Sequence, residues 1–137
     1  MSNTLIEWNT TLSVNVAEID TQHQKLIGLI NQLYELMKSG QAHNALGAVL
    51  ADLIDYATVH FRTEEDYFTR FHYPESIAHR LEHKAFVDKV KAFQTQFEGS
   101  NTFLTIEIMQ FLKDWLVKHI NGTDKRYTKC FNEHGLH

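Results

Sequence analysis

A chain of 137 residues, 43% of them hydrophobic and 22% charged, has the size and composition of one globular domain around one core. No apolar run approaches the ~18 residues needed to cross a bilayer, which excludes a membrane span. The net charge of −4, with a basic stretch at Lys125, Arg126 and Lys129 broken by Tyr127 and Thr128, argues against nucleic acid as a partner.

The N-terminus has neither a basic n-region nor a long apolar h-region, so a cytoplasmic protein is expected. Residues 1 to 19 lack helical periodicity. Trp8, Leu12, Val14, Val16 and Ile19 read as an extended arm laid over apolar helix surfaces. A first helix is expected from Asp20 or Thr21 to Lys38, opened by a capping box of Thr21 and Gln24. It carries His23, Ile27, Ile30, Tyr34 and Met37 on one face.

A second helix, from about Gln41 to Phe71, aligns Val49, Leu53, Tyr56, His60, Glu64 and Tyr67. Pro74 separates it from a third, which begins near Glu75, repeats His79, His83, Phe86, Val90, Phe93 and Phe97, and stops at Gly99. The fourth, from about Thr102 to Ile120, shows Ile108, Leu112, Trp115, Leu116 and His119, and residues 123 to 131 add a short helix. Short connections make neighbouring helices antiparallel. The fold class is therefore all-α: an antiparallel up-down four-helix bundle with an extended N-terminal arm and a short C-terminal helix, and a single domain over residues 1–137.

The anomaly in the composition is histidine, with nine residues in a chain holding one cysteine and one proline. Cys130, being alone, forms no internal disulfide, CxxC motif or c-type haem attachment. His23, His60, His79, His83 and His119 all fall on stripes otherwise made of Ile, Leu, Val, Phe or Trp. One buried histidine is more often a hydrogen-bonded core residue than a ligand. Five spread over four helices point instead to a metal site. His60/Glu64 and His79/His83 are each four residues apart, which places both side chains of a pair on one face, one turn apart.

His119 and Asp124 are five residues apart, about 140° around an ideal helix, and so cannot share a regular face. A helix break at Asn121-Gly122 is expected to bring Asp124 back toward the site. Five imidazoles and two carboxylates are too many donors for one tetrahedral zinc, but they suit two adjacent metals with both carboxylates bridging. Two irons are the natural choice. His43, His72, His134 and His137 lie off these stripes and are expected at the surface, as are Glu65, Asp66, Arg70 and Arg80, while Glu82 is placed to orient a ligand.

The sequence resembles the hemerythrin family, in its single-domain bacterial form, from Trp8 to Tyr127. The resemblance rests on Trp8 ahead of Ser13-Val14, Glu18-Ile19-Asp20-Thr21-Gln22-His23, His60-Phe61-Arg62-Thr63-Glu64-Glu65, His79-Arg80-Leu81-Glu82-His83 and Trp115-Leu116-Val117-Lys118-His119-Ile120-Asn121-Gly122-Thr123-Asp124. It implies two non-haem irons with an oxo or hydroxo bridge, one held by His79, His83 and His119 and the other by His23 and His60. Glu64 and Asp124 would bridge them. It also implies dioxygen as the ligand, bound end-on at the iron with two histidines. Asn15 stands where bacterial members often have glycine, and Asn121 where they are often apolar.

Reversible dioxygen binding for transport, storage or delivery to an oxygen-using enzyme is thus the expected function, with no enzyme activity of its own and a monomeric state. A di-iron enzyme acting on peroxide or nitric oxide, supplied by an electron donor, is the alternative, and an oxygen or iron sensor a third. Ferritin-like oxygenases use ExxH motifs, and no ExxH occurs in this chain. Leu116, three residues before His119 and facing nearly the same way, is the expected wall of an oxygen pocket. Trp8, Phe61, Tyr67 and Trp115 read as packing residues.

Overall fold

The computed structural model describes residues 5–40, 43–99 and 106–137, and every regular element among them is helical. Four long helices run Ala17–Lys38 (α1), His43–Arg70 (α2), Ser76–Gly99 (α3) and Ile106–Lys118 (α4), and α5 spans Thr128–Glu133. The expected starts of α2 near Gln41 and of α4 near Thr102 lie outside the described residues.

Side-chain pairs fix the directions of the helices. Between α1 and α2, Glu18 meets Tyr67, Gln22 meets His60 and Lys25 lies over Tyr56, so one helix ascends as the other descends. Between α2 and α3, Phe68 lies beside His79 and Phe61 beside His83 and Phe86. Between α3 and α4, Phe86 faces Trp115 and Phe93 faces Phe111, and His79 faces His119 just beyond the end of α4. Each neighbouring pair is antiparallel, in up-down order.

The N-terminal arm differs in detail from the expected extended strand. Thr10–Leu12 forms a single 3-10 turn, and Ile19 belongs to α1. Thr21 and Gln24 do not cap α1, because the helix has begun one turn earlier; the Thr21 hydroxyl donates back to the Ala17 carbonyl at 3.0 Å. Val16 is the N-cap and offers no side-chain bond. The entry is fixed instead by Asp20, whose carboxylate accepts the Val14 N–H at 2.8 Å and the Ser13 hydroxyl at 2.5 Å. Asn15 adopts φ 58°, the left-handed region that favours glycine, which explains why glycine suits that position. The turn buries Val14 and Val16 on either side of it.

At the end of α2 the chain turns through His72 at φ 52°, and the Tyr73 N–H donates to the Phe68 carbonyl at 2.9 Å. This is the six-to-one bond of a Schellman cap, and it drives Tyr73 into the core. It also sets the register with which α3 returns along α2, and hence which α3 residues meet His60 and Glu64.

Candidate metal centre

The buried polar or charged side chains among the described residues are His23, His60, Glu64, His79, His83, His119 and Asp124, none more than 3% exposed. Those are the seven residues expected as ligands. Their donor atoms fall into two groups, each with all atoms within 4.8 Å of one another: Glu64, His79, His83, His119 and Asp124, and His23, His60, Glu64 and Asp124. Glu64 and Asp124 belong to both.

Asp124 Oδ1 lies 2.9 Å from His79 Nε2 and 3.0 Å from His119 Nε2, and its Oδ2 lies 3.0 Å from His23 Nε2. Glu64 Oε1 is 3.2 Å from both His60 Nε2 and His83 Nε2. Adjacent donors on one metal with bonds of about 2.1 Å stand about 3 Å apart, so the spacing suits shared cations. His23 Nε2, His83 Nε2, Glu64 Oε1 and both Asp124 oxygens have no hydrogen-bond partner in the protein. Buried lone pairs converging without donors are costly unless a cation takes them. The residues present therefore fit a pair of metal ions.

The route by which Asp124 reaches the site differs from the expected break. His119–Thr123 is a π-helical turn, followed by a 3-10 turn over Asp124–Tyr127, and the Asp124 N–H donates to the His119 carbonyl. The backbone stays right-handed through Gly122, which is not among the residues with positive φ. A π turn takes more residues per revolution than an α turn, so residues five apart return to the same face. The convergence holds, and a wider helical turn replaces the break.

Electrostatics show what seven buried ionisable groups do to one another. Burial and the neighbouring Asp124 push the Glu64 carboxyl up, but His60 and His83 outweigh them and hold it below the usual carboxylate range. Burial acts likewise on Asp124, and His119, His23 and His79 bring it well below that range. Burial lowers His83, but Glu64 and Glu65 raise it to about 9. His119 is raised by Asp124 and Glu64 against its burial, whereas His60 is lowered because burial dominates. Without metal, protons held on His83 and His119 balance part of the carboxylate charge.

A second ring of side chains aims the imidazoles. Nδ1 of His60 lies 2.6 Å from Gln22 Oε1, that of His83 lies 2.8 Å from Glu65 Oε2 and that of His119 lies 3.1 Å from Glu82 Oε1. Each partner is an acceptor, so Nδ1 carries a proton and Nε2 is the atom turned to the centre, with its lone pair available whenever the imidazole is neutral. Glu82 orients His119 as expected, whereas Glu65 and Arg80 are not merely solvated. Glu65 holds His83, and Arg80 donates to the Glu65 carbonyl at 3.2 Å and to Thr69 Oγ1 at 2.7 Å.

Gln22 and Tyr127 escaped the sequence reading. The Tyr127 hydroxyl donates to Glu64 Oε2 at 2.5 Å, and burial followed by the charges of Asp124 and Glu64 raises its pKa well above the usual tyrosine value. The three-residue spacing from Asp124 to Tyr127 was the available signal. Gln22 gave none, since its partner is 38 positions away.

Rings close the site on three sides. Phe61 stacks on His83 at 3.9 Å, Trp115 on His119 at 4.4 Å and Tyr127 on His79 at 5.7 Å. Leu116 is buried in the surrounding core. His72, His134 and His137 are exposed as expected, and the side chain of His43 lies outside the described residues.

Residues 14–130 match the family described as the hemerythrin HHE cation binding domain. The chain is 30% identical over 130 residues to a bacteriohemerythrin of Stenotrophomonas maltophilia, covering 95% of this chain and 84% of that protein. It is 32% identical over 120 residues to a hemerythrin-like protein of Naegleria gruberi, covering 88% of each. A solved wild-type hemerythrin superimposes with a TM-score of 0.87 at 31% identity, covering 92% of this chain and 97% of that one.

Proposed function

The chain belongs to the hemerythrin family, and from that premise we propose that it binds dioxygen reversibly at a non-haem di-iron centre, for oxygen transport, storage or delivery to an oxygen-using enzyme. The observation that carries this reading is the pair of donor groups that share both Glu64 and Asp124. Two irons bridged by oxide or hydroxide would, when bound, supply the reducing electrons and the coordination position that dioxygen needs.

In this reading His79, His83 and His119 would hold one iron and His23 and His60 the other, with Glu64 and Asp124 contributing donors to both. The group with two imidazoles has one donor fewer, so a metal held there would have room for an outside ligand. The chain contributes neutral imidazoles, which add no charge, and two carboxylates, too few to favour highly oxidised metal. That composition suits a carrier rather than an oxidising enzyme. Gln22, Glu65 and Glu82 fix the ring planes of three imidazoles, and Phe61 and Trp115 keep water from two of them. Leu116 is assigned as an apolar wall beside the open position, where it would keep water and protons out.

Metal analysis followed by anaerobic reduction and re-exposure to oxygen tests this function. Two irons per chain and a visible absorbance band that comes with oxygen and leaves with its removal are expected. One zinc per chain, or steady oxygen consumption with no stable coloured adduct, would overturn it.

A further inference from the structure

His79 is set apart from three other imidazoles of the centre. Its Nε2 faces Asp124 at 2.9 Å and His119 at 3.2 Å, so its Nδ1 points away from the donor cluster. That Nδ1 has no hydrogen-bond partner in the protein, although the residue is 2% exposed. His60, His83 and His119 each have a side chain at this atom. A buried ring N–H left without an acceptor is unfavourable, and such groups are usually completed by ordered water.

Beside His79 lies a pocket of about 20 Å³, lined by Tyr73, Glu75, His79, Glu82, Thr123 and Arg126 among others. A cavity of roughly 10–15 Å³ holds one water, which needs two to four polar partners. This pocket has room for one and several partners to offer. Its two carboxylates disfavour an anion, and both can accept from a water. Glu82 is already fixed, since the Thr123 hydroxyl stands 2.9 and 3.0 Å from its two oxygens and its Oε1 meets His119 Nδ1 at 3.1 Å.

We propose that this pocket binds a single water that accepts the His79 Nδ1 proton and donates to Glu82, making Glu82 the positioning residue of two imidazoles, His119 directly and His79 through the water. Both imidazoles lie in the donor group that lacks His23 and His60. Glu82 would thus position two of the three imidazoles in that group, with Glu65 on the third, and leave the other group to Gln22. The water site stands on the cavity and the unpartnered nitrogen alone, while the consequence for metal rests on the ligand reading above.

Two measurements separate these parts. A crystal structure that resolves ordered waters should show one within hydrogen-bond distance of both His79 Nδ1 and a Glu82 oxygen. A pocket without density, or His79 Nδ1 bonded to a protein atom, overturns the proposal. In protein loaded anaerobically with Fe²⁺ alone, Glu82→Ala should release one iron of the pair to a ferrous chelator at least tenfold faster, as outer-shell losses cost about 10–100-fold. Glu82→Gln, which keeps an acceptor for His119 and the water, should restore most of the retention. Equal acceleration of both irons, or none, overturns the positioning role. Wild-type protein that takes up fewer than two irons would sink the ligand reading and leave the water site to the crystal structure.

Discussion

Where α1 carries Leu26, Ile30 and Leu33, α2 Leu46, Leu50 and Leu53, α3 Val90 and Phe97 and α4 Met109 and Leu112, the interior is hydrocarbon. Further along the same helices the inward positions become His23, His60, Glu64, His79, His83 and His119. The apolar half is stabilised by removing surface from water, at roughly 25 cal/mol per Å², and needs nothing from outside. The donor half loses solvation for seven ionisable groups and recovers it only through charge pairing or a cation. One bundle therefore contains a self-sufficient half and a half whose stability depends on what it binds.

Removing metal should separate the two halves most. A ligand present at a thousand times its Kd stabilises by about 4 kcal/mol, so chelation should lower the melting temperature by roughly 10 °C or more in a chain of this size. Equal melting temperatures with and without metal would mean that the donor half is balanced internally. Leu50→Ala, in the other half, should cost about 2–5 kcal/mol by denaturant unfolding, by the same amount in both forms, with metal content unchanged.

The pH dependence of the metal-free protein gives a finer comparison. Glu64 and Asp124 are held low, so their contribution is present above about pH 4 and is lost as pH falls through their folded values. His83, raised to about 9, and His119, also raised, contribute fully below about pH 6.5 and lose that contribution as pH rises through their folded values. His60 is lowered and works the other way, losing stability as pH falls below about 6.5. Metal-free protein should therefore be most stable near pH 6.5 and weaken toward pH 9. Metal-loaded protein should not weaken over that interval, since neutral imidazole is the form that binds. Thermal melts of both forms from pH 5 to 9 check this.

Leu116 lies in the donor half, and Leu116→Ala should raise the rate at which the oxygen adduct decays to oxidised iron, followed in the visible spectrum. An unchanged rate would return Leu116 to ordinary packing. The smallest effect is expected at Gly122. A methyl group there meets no atom within 4 Å, and the backbone is right-handed, so Gly122→Ala should shift stability by about 1 kcal/mol or less, toward greater stability, with both metals retained. A large loss would reinstate a break in place of the π turn.

The helices, their apolar stripes and the pairs His60/Glu64 and His79/His83 were legible in the sequence, because they depend on a period of 3.6 residues that operates within one helix. That period also marked the five histidines as inward-facing before any contact between helices was known. It failed at Asp124, where the turn widens, and at Thr21, where Asp20 organises the arm and α1 starts a turn early. It had nothing to say about Gln22 beside His60, Glu65 beside His83 or Tyr127 on Glu64, which lie 38, 18 and 63 positions apart. By itself, then, the sequence determined which helix faces turn inward and that imidazoles and Glu64 stand on them. Only the tertiary structure decided that Glu64 and Asp124 stand between two groups of imidazoles, since that depends on the register in which separate helices pack, and helical spacing carries no record of it.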